Sequence, residues 1–221
     1  MTMTDPPAID HAPAPVSGMS FDEFLTRYEG VRAEWLPSGE VEILVSNNLT
    51  HASLFLFLLK LLSFYLDFTR QAQLLPAGFP MRIPGGSARE PDLLIVLPEH
   101  LNRVRETYLD GIADIAVEIV SPESIDRDYR VKLEEYEAAG VPEYWLIDPR
   151  RRLAVFYTLE EADGERVYRA RPLDARNRLH SAVLPGFTLD PALLWQDPLP
   201  EGAALLAILS DLIGRSIRVD E

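Results

Sequence analysis

The 221-residue chain has room for one domain with a sizeable core, and its 47% hydrophobic content marks it as globular. It contains no cysteine, which removes disulfides, zinc–thiolate sites and thiol nucleophiles together and fits a cytoplasmic location. A net charge of −14, with a pI near 4.7, argues against a basic surface that grips nucleic acid without specificity.

In chain order, residues 1–18 are rich in Pro and Ala and read as a tail. A folded domain is expected over 19–195, and a C-terminal helical extension over 196–221. Ser20-Phe21-Asp22-Glu23 is a capping box that opens a short helix to about Tyr28. Residues 33–36 and 40–45 flank Pro37-Ser38-Gly39, a hairpin signal. Thr50 to Arg70 is the longest helical candidate, with Leu54, Leu58, Leu61, Leu62 and Tyr65 on one apolar face. Its apolar stretch, Leu54 to Leu66, is broken by Lys60 and Ser63 and is expected to be too short and polar to span a bilayer.

Extended segments follow near 72–75 and 79–83, then a turn at Pro84-Gly85-Gly86. Runs 92–97 and 112–120 have the β-branched composition of central strands. A helix over 126–139 stops at Gly140, and a strand over 143–148 stops at Pro149. Strand, helix and strand in that order predict a β-α-β unit with parallel strands. Two more strands near 153–159 and 166–171 and a helix near 202–213 complete an α/β (α+β) domain. No internal repeat or second domain is visible.

The chemistry concentrates in a few residues. The chain has two lysines among its 21 basic residues, and one of them, Lys132, falls on the helix after two acid-bearing strands. Asp92 stands at the start of one apolar strand, and Glu118 is embedded in another. An acid in such a strand is costly unless it is paired or metal-bound. In the second strand, alternation puts Ala116, Glu118 and Val120 on one face and Val117 and Ile119 on the other. On the helix, Tyr129, Leu133 and Tyr136 form the core stripe, with Lys132 at its border.

Two carboxylates and an ammonium at a sheet suit a divalent cation, Mg2+ or Mn2+, at which phosphodiesters are cut. Asp92 and Glu118 could supply ligands, with the backbone carbonyl of Ile119 as a third. Lys132 could orient the attacking water or stabilise developing charge. The plainer reading is that Glu118 and Lys132 form a buried ion pair and Asp92 caps a turn after Pro91. Glu34 is a further candidate acid, though a strand acid at that place is read first as exposed. His51 is a candidate proton carrier, whereas His11, His100 and His180 show no ligand spacing. Arg127, Arg130 and Lys132 on one helix, with Arg150-Arg151-Arg152 after the next strand, suggest a local basic rim. Dinucleotide, Walker and serine-hydrolase motifs are absent.

Pro91-Asp92, Val117-Glu118-Ile119-Val120-Ser121-Pro122, Asp128 with Lys132 and Tyr136, and 140–149 (Gly-Val-Pro-Glu-Tyr-Trp-Leu-Ile-Asp-Pro) together resemble the Uma2 family. Glu34, Gly39-Glu40 and His51 resemble its N-terminal pattern, so the likeness runs from about Ser20 to Leu189. This bacterial family belongs to the PD-(D/E)XK nuclease superfamily. The resemblance implies a restriction-endonuclease-like mixed β-sheet flanked by helices, with Asp92 and Glu118 as metal ligands. The superfamily lysine two residues after the glutamate is here Val120, and Lys132 would take its place from the following helix. The implied function is a divalent-metal-dependent endonuclease acting on DNA rather than RNA, without membrane association. The rival is a catalytically inactive nuclease-fold dimer that serves as a binding or regulatory module. A homodimer is expected in either case.

Overall fold

The computed structural model describes residues 18–44, 48–162 and 164–219, with side chains as far as Gly214. The expected tail therefore lies outside the described residues except for Gly18. Helix α1 (Phe21–Arg27) starts as its capping box dictates: the Glu23 N–H donates to the Ser20 hydroxyl, and the Ser20 N–H donates to the Glu23 carboxylate. After it come β1 (Ala33–Trp35), β2 (Val41–Ile43), α2 (Leu49–Thr69), β3 (Gln73–Pro76), β4 (Met81–Ile83) and β5 (Ser87–Arg89). Then follow β6 (Leu93–Val96), β7 (Leu109–Asp110), β8 (Ile115–Ile119), α3 (Lys132–Ala139), β9 (Glu143–Asp148) and β10 (Leu153–Ala162). The chain closes with β11 (Glu165–Ala170), β12 (Leu179–His180), β13 (Thr188–Leu189) and α4 (Gly202–Val219).

The strands build two large sheets rather than the single one expected. One has five strands in the order β2-β1-β5-β4-β7, and the other has six in the order β11-β10-β9-β8-β6-β3. Both are mixed: β4 and β7 pair in parallel in the first, β8 and β9 in the second. The β8-α3-β9 crossover is thus the parallel unit that the sequence predicts. Strands β5, β7, β12 and β13 escaped the sequence reading because two or three residues carry no period.

The six-stranded sheet is buried on both faces. On one, Leu54, Leu58, Leu61, Leu62 and Tyr65 of α2 pack with Ile115, Val117, Ile119 and Trp145, joined by Leu205, Leu209 and Leu212 of α4. Each fully buried leucine there contributes about 1.5–3 kcal/mol. By length and composition α2 is long and apolar enough to cross a membrane, contrary to the sequence expectation. Here its inner face is core. On the opposite face, Ala116, Val120, Tyr144 and Leu146 pack with Tyr136 of α3 and with Met81 and Leu109 of the five-stranded sheet. The alternation predicted for β8 therefore holds, and it turns Glu118 toward α3.

The helix expected over 126–139 is not uniform. Arg127–Val131 forms one π-helical stretch, and the regular α-helix begins only at Lys132. Such single π turns often sit at functional sites, because they re-aim the side chains that follow. Gly140 ends the helix at φ 89°, and a Cβ there would run into the Arg166 guanidinium.

Candidate functional site

Strand register brings the two acids of the six-stranded sheet together. Leu93 pairs antiparallel with Val117, so one step outward Asp92 stands opposite Glu118. The Ile119 N–H donates to Asp92 Oδ2 at 2.8 Å, and His51 Nε2 lies 3.1 Å from the same oxygen. Asp92 is thus tied across the ladder to β8 and braced by α2, and does not cap a turn after Pro91.

A similar step in the five-stranded sheet sets Glu34. Trp35 pairs with Ala88, which places Glu34 opposite Arg89, and the two form an ion pair of 2.9 Å. Glu34 is fully buried, so the exposed strand acid of the sequence reading is corrected. The antiparallel twin of this strand gives it a partner on one side, and α3 gives it one on the other.

Lys132 joins the two sheets. Its Nζ is 2.8 Å from Glu118 Oε1, 2.9 Å from Glu34 Oε1 and 3.8 Å from Asp128 Oδ1. The Tyr136 hydroxyl donates to Glu118 Oε1 at 2.9 Å. Asp128, Lys132 and Tyr136 are all buried, four residues apart along one stripe. That spacing was the signal by which Asp128 could have been assigned a role in the site. The Glu118–Lys132 ion pair of the plainer reading is present, but as part of this larger cluster.

Asp92, Glu118, Ile119, His51 and Lys132, all predicted from sequence, line one cavity of about 30 Å³. Glu34 does not line it and reaches it only by its contact with Lys132. The sequence reading did not assign Arg32, Glu90, Arg127 or Asp128 to the site, and these line it too. Glu90, an awkward charge beside a site for polyanions, accepts from Arg32 Nε at 2.7 Å and from the Gly78 N–H at 3.0 Å. No continuous basic rim exists on the helix: Lys132 is buried among acids, Arg130 faces solvent on Asp126, and Arg127 pairs with Glu42. His100 and His180 pair with Asp114 and Asp174, neither of which lines the cavity, and His11 lies outside the described residues.

The electrostatics follow from burial at close quarters. Burial pushes the Glu118 carboxyl well above its ordinary value; Lys132 opposes this, while Asp128, Asp92 and Glu34 add to it. Burial likewise raises Asp128, against the pull of Lys132. Glu34 goes the other way: although burial works against its charge, Lys132 and Arg89 hold it down at about 2. Lys132 loses by burial and gains more from Glu118, Glu34 and Asp128, so it stays an ammonium well above its usual range.

Asp128 Oδ1 is buried with no hydrogen-bond partner, while its Oδ2 accepts from Ser124. A buried carboxylate oxygen without a hydrogen bond is costly, and the Lys132 ammonium 3.8 Å away offsets part of that cost. Among the described residues, no three His, Asp or Glu side chains form a ready-made metal cage. Magnesium does not need one, since it accepts one or two carboxylates and keeps several waters. The oxygen-only donors of Asp92 and Glu118 suit that chemistry.

A family model described as "Putative restriction endonuclease" matches residues 21–192. Among solved structures, the chain is similar to "a putative nuclease belonging to DUF820" from Anabaena variabilis ATCC 29413. The two are 16% identical, superpose with a TM-score of 0.58 and share 90% of this chain and 98% of the other. At that identity the likeness concerns the fold. No curated protein matches the chain.

Proposed function

The chain belongs to the Uma2 family, and from that premise we propose that it is a divalent-metal-dependent endonuclease hydrolysing phosphodiester bonds in DNA. The observation that carries this reading is the convergence of the buried side chains of Asp92, Glu118, Asp128 and Lys132 on one small cavity. Asp92 and Glu118 would hold Mg2+ or Mn2+, with the Ile119 carbonyl beside them. A bound divalent cation supplies charge neutralisation and acidifies water. His51 braces Asp92 through Oδ2, the oxygen that also accepts the Ile119 N–H, which leaves Oδ1 for the cation. Lys132 orients Glu118 and offsets the negative charge gathered at the site, and Glu34 fixes the lysine from behind. The family likeness extends over the domain expected at 19–195, and we take α4 as an appendage packed on it.

One observation favours a second reading, a catalytically silent module. Lys132 is satisfied by carboxylates without any metal, so the cluster is a stable ion-pair network by itself. In that reading a homodimer would use the exposed Leu56, Phe64 and Phe68 on the outer side of α2. Manganese titration by calorimetry separates the two. Saturable binding to the wild type, lost in Asp92→Asn and Glu118→Gln, supports the nuclease. Equal weak binding in all three proteins removes it and leaves the module.

A further inference from the structure

A phosphodiester entering this site needs positive groups for its non-bridging oxygens, and Lys132 cannot provide them. Its side chain is 3% exposed, and its ammonium already donates toward Glu118 and Glu34 with Asp128 alongside. Two other cations line the cavity. Arg32 precedes β1 and has a side chain 34% exposed; Arg127 opens the π turn and is 19% exposed. Both are half withdrawn from water yet underused. Among the described residues Arg32 hydrogen bonds through Nε alone, to Glu90, and its outer nitrogen stands 3.9 Å from Asp92. Arg127 reaches Glu42 with one terminal nitrogen, and its buried Nε has no hydrogen-bond partner among the described residues. A guanidinium presents five donors in a planar fork matched to phosphate oxygens. Donors left over at a cavity lined with acids have a substrate role to fill.

We infer that Arg32 and Arg127 are the phosphate-binding residues of the site, gripping the backbone on either side of the bond to be cut. This rests on the nuclease reading above. Each arginine is held ready by a carboxylate distant in sequence, Glu90 for Arg32 and Glu42 for Arg127, which orders the fork before substrate arrives. The chemistry is that of a phosphodiester and is shared by DNA and RNA, so the test carries both.

The experiment measures binding of fluorescein-labelled DNA and RNA duplexes of one sequence by anisotropy, with Ca2+ present, over a range of salt. The proteins are the wild type, Arg32→Gln, Arg127→Gln and the exposed control Arg130→Gln. Each is also titrated with Mn2+. Because Arg32→Gln strands Glu90, the double variants Arg32→Gln/Glu90→Gln and Arg127→Gln/Glu42→Gln are included. These keep the net charge of the wild type, so a loss in them reports a lost contact rather than a changed field. The expected result is binding weakened about tenfold to a hundredfold in each single and double variant, as for a lost charge-assisted hydrogen bond. The dependence of log K on log salt becomes shallower by about 0.9 per arginine removed, and Mn2+ binding is retained. Arg130→Gln behaves as the wild type. DNA weakened while RNA never binds, or the reverse, identifies which polymer the arginines hold. Wild-type binding whose strength and salt slope are unchanged in the double variants overturns the arginine assignment alone. A wild type that binds neither duplex overturns the assignment together with the nuclease reading.

Discussion

Replacing Lys132 with methionine removes one ammonium and almost no volume, and the structure sets the size of the effect. Nζ lies 2.8 Å from Glu118 and 2.9 Å from Glu34, and both carboxylates are essentially inaccessible to water. Breaking a buried pair by deleting one partner costs about 3–5 kcal/mol. Glu34 retains Arg89 at 2.9 Å, so the loss falls on Glu118 and Asp128 rather than being counted for every acid. Urea unfolding of Lys132→Met at neutral pH should show a deficit of that order. The pH dependence is the sharper test. Glu118 is already raised above 4.5 by burial, and without the ammonium it rises further. A carboxyl with a raised folded pKa is destabilising above that pKa and harmless below the unfolded value. The deficit of Lys132→Met should therefore shrink as pH falls toward 4.5. Adding Glu118→Gln to Lys132→Met should restore much of the loss at neutral pH. A Lys132→Met protein within about 0.5 kcal/mol of wild type, the range of ordinary surface changes, would refute the keystone role of this lysine. So would a deficit that grows on acidification.

The remaining predictions concern its neighbours. Glu34, held at about 2 against an ordinary 4.5, contributes about 3 kcal/mol that is complete above pH 4.5 and lost as pH falls through 2. Urea unfolding in acid should thus show wild type and Glu34→Gln converging over that window. Tyr136→Phe removes a buried hydrogen bond of 2.9 Å to Glu118 and should cost about 1.5–3 kcal/mol in the same assay, with the circular-dichroism spectrum unchanged.

What could be read in the sequence is what has a period or a marker. The capping box, the apolar stripe of α2, the β8-α3-β9 unit and Gly140 each carry a local physical signature, and each stands where its signature placed it. Asp92 and Glu118 were visible because an acid at the start or inside of a buried strand breaks an apolar run. Glu34 was misjudged because its burial comes from contacts with Arg89 and Lys132, 55 and 98 positions away, which no window along the chain contains. Arg32, Glu90 and Arg127 were missed for the same reason: each looks like one more surface charge until the sheets close around it. The π turn has no sequence period of its own.

The charge that argued against nucleic acid at the level of the whole chain does not decide the matter at the cavity. Charges more than about 10 Å apart are largely screened at moderate salt, so the −14 of the chain acts weakly on a phosphate that is already seated. The local balance acts strongly. Glu90, Asp92, Glu118 and Asp128 face Arg32, Arg127 and Lys132 across the cavity, four carboxylates against three cations. With every group ionised that balance is −1, and it repels a phosphodiester. One divalent cation turns it to +1. Nucleic-acid affinity should then rise with the metal, and in its absence rise as pH falls and the raised Glu118 and Asp128 carboxyls lose their charge.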